Sequence, residues 1–271
     1  MARTHVLLVL FGLALAFVAG QSDAQDLVIV SSDITVALGG NTFEDHEVVA
    51  DDQMGLVLPV PLGTLPDPTD VNAYDRLPDG DQLYSLDTSA DLGGGLVVGP
   101  ADVVRFDGTT DTVEFDASAE GIPAGVTVDA VGVHASGDLL LSFDTAVNVG
   151  ATVDDEDLVR FNGTTFTMFF DGSGEGVDPA LDLDGARYRE SDDHLFLSFD
   201  GSGVVGGSVN FDDEDILEFD PAGPTWSMFY DGSVQHASLA AADVIAVPEP
   251  HFLLQLIPGI LLLAVLQRRR C

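Results

Sequence analysis

The chain has 271 residues, 46 of them Asp or Glu against 9 Lys or Arg, for a net charge of −37 at pH 7. A surface this acidic, with no lysine anywhere, repels phosphate backbones and excludes nucleic acid as a partner. An apolar content of 46%, with Val, Leu and Phe recurring in strand-like patterns, excludes disorder, because there is enough apolar surface to bury a core.

The chain begins with Arg3, an apolar run over residues 6–19 and the small residues of Ser22-Asp23-Ala24. That layout predicts a secretory signal peptide over residues 1–24. Residues 25–247 then form the folded part, with 5 basic and 44 acidic residues and a net charge of −39. Three readings of this acidity stand side by side: a self-repelling, solvated surface, adaptation to high salt, and carboxylates gathered for divalent cations. The single cysteine, Cys271, allows no intrachain disulfide.

Within residues 25–247 one sentence is written four times. Ser31, Ser85, Ser142 and Ser198 each follow a short apolar run, at spacings of 54, 57 and 56 residues, and an aspartate comes two residues later: Asp33, Asp87, Asp144 and Asp200. A Gly/Val-rich connection follows, then an acidic element, then a strand such as Leu158-Val159-Arg160-Phe161. A turn such as Asn162-Gly163 leads into a second strand rich in Thr and aromatics, with residues 54–60 as its counterpart in the degenerate first copy. Each unit closes with one more strand, at residues 70–74, 126–133, 181–188 and 239–247. No stretch carries a 3.6-residue period long enough for a helix.

Four short strands in about 56 residues resemble the blades of a β-propeller, so the expected fold is all-β and four-bladed. The phase is informative, because the folded part starts with a second strand and ends with a first strand. A ring closed by pairing residues 239–247 with residues 27–30 uses every strand and removes the exposed edge. An open stack of the same meanders is the alternative.

The acidic runs are the candidates for chemistry. Asp154, Asp155, Glu156 and Asp157, the matching Asp212, Asp213, Glu214 and Asp215, and Asp45 with Glu47 in the first copy offer carboxylates to a hard cation such as calcium. The ligand spacing of an EF-hand is missing after Asp182-Leu183-Asp184-Gly185. Asp116, Asp171 and Asp231 read as turn formers, and the repeated serines as core hydrogen-bonding positions. The histidines assemble no zinc motif, and no Ser or Cys stands in a nucleophile elbow.

The tail is specific. Pro248-Glu249-Pro250 precedes an apolar run over residues 252–266 and then Arg268, Arg269 and Arg270. This order resembles the PEP-CTERM sorting signal of Gram-negative bacteria, with Pro258-Gly259 and the final Cys271 as departures. The resemblance covers residues 248–271 and implies a transmembrane helix, cleavage by an exosortase-like protease, transient residence in the inner membrane, and a role linked to exopolysaccharide. The expected protein is therefore an exported, surface- or matrix-sorted propeller with a non-catalytic binding or structural role. The competing expectation is a calcium-assisted extracellular hydrolase of sugar or phosphate esters.

Overall fold

Runs of four to six residues rich in Val, Leu and Phe, cut by glycine turns, leave the chain little choice but short strands. The computed structural model describes residues 27–240, 242 and 244–248. The expected signal peptide, and the sorting signal beyond Pro248, lie outside the described residues.

The strands form four antiparallel four-stranded sheets. From the innermost strand outward, blade 1 is Val244–Pro248, Val28–Ser32, Val48–Asp51 and Val57–Val60. Blade 2 is Val71–Arg76, Gln82–Leu86, Val103–Phe106 and Asp111–Phe115. Blade 3 is Val128–Val133, Leu139–Phe143, Leu158–Phe161 and Phe166–Phe170, and blade 4 is Leu183–Arg189, His194–Phe199, Ile216–Asp220 and Thr225–Tyr230. The four first strands contact one another around a central channel. This is a four-bladed β-propeller, with residues 57–60 as the fourth strand of the degenerate first blade, as the repeat implied.

The Gly/Val-rich connections are more ordered than the sequence suggested. Each becomes a two-stranded hairpin between the second and third strands of its blade: Val36–Leu38 with Asn41–Phe43, Ala90–Gly93 with Leu96–Val98, Val147–Asn148 with Thr152–Val153, and Gly203–Val205 with Val209–Phe211. Gly39 and Gly40 at φ +55° and +82° supply the left-handed pair that a tight two-residue hairpin turn demands, and Gly206 and Gly207 at +56° and +71° open the three-residue turn between Val205 and Val209.

Both faces of every blade are covered, so second strands such as Leu139–Phe143 are buried at all five positions and lose the alternation of a half-exposed sheet. The core is divided into four clusters, one per blade interface. Leu83, Phe115, Val131 and Leu141 join blades 2 and 3, and Ala130, Leu158, Phe170 and Leu197 join blades 3 and 4. Val28, Val30, Phe196 and Tyr230 join blades 4 and 1, and Ile29, Val48, Tyr74 and Tyr84 join blades 1 and 2.

The ring closes in the register Val28↔Pro248 to Ser32↔Val244, which adds Pro248 to the expected closing strand and starts it later. Residues before it help fill the seam, where Leu239 and Ala242 are completely buried. A polar clasp completes it. The Tyr230 hydroxyl donates to Asp51 Oδ2 over 3.0 Å, and His236 Nε2 lies 2.9 Å from the same oxygen, with Asp51 inaccessible to solvent.

Removing residues 237–248 should destabilise the whole ring, because it strips Leu239 from the core and leaves the inner edge of Val28–Ser32 without a partner strand. Asp51→Ala should cost roughly 2–4 kcal/mol, since it orphans two buried polar groups. Urea unfolding followed by far-UV circular dichroism checks both. A truncated chain with the parent's midpoint would contradict a closed ring.

Candidate functional site: two mouths of one channel

Antiparallel order puts the starts of first and third strands, and the ends of second and fourth strands, on one face of the ring. The five arginines described all fall on the other face. Arg76, Arg187 and Arg189 stand at or near the ends of first strands. Arg105 and Arg160 occupy the same third-strand position in blades 2 and 3, where they reach the turn joining their own first two strands.

Four of these arginines, Arg76, Arg105, Arg187 and Arg189, line one cavity of about 1040 Å³ at the channel mouth. Arg187 crosses from blade 4 to blade 2, where it pairs with Asp75 and donates to the Arg76 carbonyl over 2.9 Å. Asp75 is fully buried, and that burial raises its carboxyl pKa while the guanidinium opposes the rise. Arg105 donates to Asp81 at 2.7 Å and Asp79 at 2.9 Å. Arg189 is forked between Asp192 and Glu218 and lies 4.5 Å above the Phe196 ring. Arg76 alone forms no ion pair among the described residues.

Aromatic faces adjoin the charges. His134 stacks on Tyr188 with centroids 4.8 Å apart and 25° between planes, and Phe169 meets both rings edge-on. Burial and nearby Arg160 lower the His134 pKa, which favours a neutral ring. The Tyr188 hydroxyl donates to Asp193, which pushes its pKa up to about 12. The rings also line a second cavity of about 410 Å³, which shares His134 and Tyr188 with the first.

Asp192, His194 and Glu218 bring three potential metal ligands within 4.8 Å of one another. The Arg189 guanidinium already occupies their centre of charge, 2.7 Å from Asp192 and 2.5 Å from Glu218. A cation there would have to displace an internal one.

The opposite face holds the acidic runs, and there Asp157, Asp215, Glu47 and Asp45 among the expected ligands accept backbone amides. Asp157 Oδ2 accepts the Asp154 amide at 3.0 Å, and its Oδ1 accepts the Gly172 amide at 2.9 Å. Asp215 repeats this with Asp212 at 2.9 Å and Gly232 at 3.0 Å. Asp102 does the same in blade 2, and Glu47 holds the Glu44 amide in blade 1. Asp154 and Asp212 are exposed, Asp45, Asp155 and Asp213 half-buried, and Glu156 and Glu214 buried. Among the described residues, no three of these ten carboxylates come within the mutual 4.8 Å seen for Asp192, His194 and Glu218.

Glu156 and Glu214 explain a covariation inside the chain. A Cβ on Gly172 would lie 2.3 Å from the Glu156 carbonyl, and one on Gly232 equally close to that of Glu214. Where blade 2 has Ala117 in place of this glycine, the facing position is Ala101. Burial pushes Glu156 up to about 7 and raises Glu214 as well. Asp116, Asp171 and Asp231 act as turn formers, each accepting the amide three residues on.

The repeated serines are buried, as expected, and Ser142 donates to the Asp157 carbonyl at 2.7 Å. Each of Ser85, Ser142 and Ser198 stands opposite the residue that follows a β-bulge in the first strand. The extra residues, Asn72, Asp129 and Asp184, occupy equivalent positions at the acidic mouth, and the sequence reading missed them. The aspartates that follow the serines pin the entry to these strands: Asp87, Asp144 and Asp200 accept the amides of Asp70, Thr127 and Asp182, each at 2.8 Å.

Because Asp157 and Asp215 are backbone staples, Asp157→Asn with Asp215→Asn should lower stability by roughly 1–3 kcal/mol per site even in EDTA, since an amide cannot accept both N–H groups. Chemical denaturation with and without calcium checks this. A loss seen only when calcium is present would make these loops the cation site instead.

No family model matches the chain, and no curated protein does. Solved structures do. A Bacteroides caccae protein of unknown function aligns at 10% identity and a TM-score of 0.30, over 75% of this chain and 56% of that one. A catalytically inactive virginiamycin B lyase from Staphylococcus aureus, with quinupristin, aligns at 11% identity and 0.33, over 76% and 71%. The hemopexin-fold protein CP4 from cow pea aligns at 10% identity and 0.38, over 74% and 91%.

Proposed function

We propose that this chain is an exported, non-catalytic binding propeller whose arginine mouth takes an acidic saccharide of an extracellular matrix. The observation that carries the reading is that all five described arginines lie on one face of a chain with net charge −37, four of them lining one mouth. Their partners make the chemistry specific. The Arg–Asp pairs hold donors and acceptors in fixed alternation, which suits the vicinal hydroxyls of a sugar. The Tyr188 and His134 rings offer flat apolar faces for a pyranose. Arg76, without a carboxylate of its own, supplies charge for a uronate or sulfate.

Sorting fits the same geometry. In the proposed route an exosortase-like protease reads Pro248, Glu249 and Pro250, with Arg268, Arg269 and Arg270 on the far side of the membrane. Pro248 pairs with Val28, so both ends of the described ring emerge on the arginine face. From Pro248 to Phe252 there are four Cα steps, at most about 14 Å of extended chain. While the tail holds, the arginine mouth faces the bilayer, and cleavage uncovers it. Residues 252–266 make about 22 Å of helix against roughly 30 Å of hydrocarbon, a poor permanent anchor.

Calorimetry against an oligouronate and a neutral oligosaccharide of equal length should show preference for the acidic one. Arg76→Ala should weaken that binding ten- to a hundredfold without moving the melting temperature, as loss of a charge-assisted hydrogen bond implies. Equal binding by parent and variant would place the ligand elsewhere. Mass spectrometry of the native protein should find a C-terminus upstream of residue 252, and one reaching Arg270 or Cys271 would mean a plain anchor.

A further inference from the structure

We propose that the saccharide taken by the arginine mouth alternates in charge, and that the second cavity, of about 410 Å³, holds its uncharged N-acylated sugar beside the uronate. The inference rests on the saccharide reading above and names the repeat that the same site selects.

The two cavities share a wall. His134 and Tyr188 line both of them, and the two rings stack 4.8 Å apart. A pyranose seated against these rings therefore sends its glycosidic neighbour toward the smaller cavity. At about 410 Å³ that cavity falls within the roughly 300–1,000 Å³ of small-ligand sites.

The cavities differ in charge. Arg76, Arg105, Arg187 and Arg189 line the larger one. The smaller one has no arginine among its described lining residues, and its carboxylates are Asp171, Glu175 and Asp193. Nearby Arg160 is held by Asp138 and Ser136. Burial and that guanidinium lower the His134 pKa, so the ring adds no cation of its own. A uronate entering here would meet three like charges and no counter-ion. The smaller cavity thus rejects the group that the larger one attracts.

The lining also shows what is accepted instead. Phe170 and Leu195 are 3% exposed and Phe219 is 2% exposed, so they form an apolar floor. Met168, 42% exposed on the outermost strand of blade 3, adds a pliable thioether at the lip. An acyl methyl gains from burial against such a surface, and a hydroxyl does not. Asp193 Oδ1 accepts the Tyr188 hydroxyl, and the second oxygen of that carboxylate can accept an acylamino N–H beside it. An apolar floor, an acceptor and no cation together describe a pocket for an N-acylhexosamine.

Calorimetry on the full-length chain in detergent, with three tetrasaccharides, tests the pairing. One probe alternates glucuronate with N-acetylglucosamine, one is all galacturonate, and one is all N-acetylglucosamine. The alternating probe should bind about tenfold more tightly than either of the others. Met168→Glu should remove its advantage over the all-galacturonate probe without moving the melting temperature, and Arg76→Ala should weaken both acidic probes. In saturation-transfer NMR the acetyl methyls of the alternating probe should be among its most strongly saturated protons, a readout that needs no variant. Equal binding of the two acidic probes, with both still dependent on Arg76, would overturn the alternation and leave the acidic-saccharide reading intact. So would an advantage that survives Met168→Glu, or acetyl methyls that receive no saturation. Binding that ignores Arg76→Ala, or no binding of either acidic probe, would overturn both readings.

Discussion

The antiparallel pairing of Val244–Pro248 with Val28–Ser32 is the constraint on which the rest depends. Each blade buries both of its faces against neighbours, so no blade can be finished until the ring is. The pairing also aligns the four first strands in one direction, and only then do their starts gather at one mouth and their ends at the other. Asp51, Tyr230 and His236 lock the same seam with polar groups drawn from both ends of the sequence. An open array of identical meanders would leave an unpaired edge, a water-exposed apolar face and no channel.

Closure converts a chain with almost uniform negative charge into a polarised body. Five arginines among 44 acids could be scattered as solubilising ion pairs worth little each. Here they share one face, while the other holds Asp129, Asp182 and the stapled loops. The buried Asp75–Arg187 pair ties opposite blades across the channel and separates the two environments. Opposite chemistry at two mouths of one channel is a property of the closed ring, and no single blade contains it.

Much of the fold was legible in the sequence because the repeat is a physical one. The serine at 54- to 57-residue spacing marks a buried position opposite a bulge, and the aspartate two residues later pins the next strand, so both recur with little drift. The small hairpins escaped notice because two or three residues on either side of Gly39-Gly40 carry no readable period. The acidic runs were visible, but the use of each carboxylate was not, for a simple reason. A carboxylate that accepts two backbone amides looks, in sequence, the same as one that holds calcium. Asp157 shows the first use. The arginine mouth was within reach: Arg105 and Arg160 recur in the third-strand motif, yet Arg76, Arg187 and Arg189 converge with them only after blades 2 and 4 face each other across the channel.

The central claim is that the two mouths of the ring are chemically distinct, with the ligand at the arginine end. A crystal structure of the chain with an oligouronate tests it most directly. We expect saccharide density between Arg76 and the Tyr188 ring, and none at the acidic mouth. Saccharide at the acidic face, or an arginine mouth left empty at saturating concentration, would contradict the account.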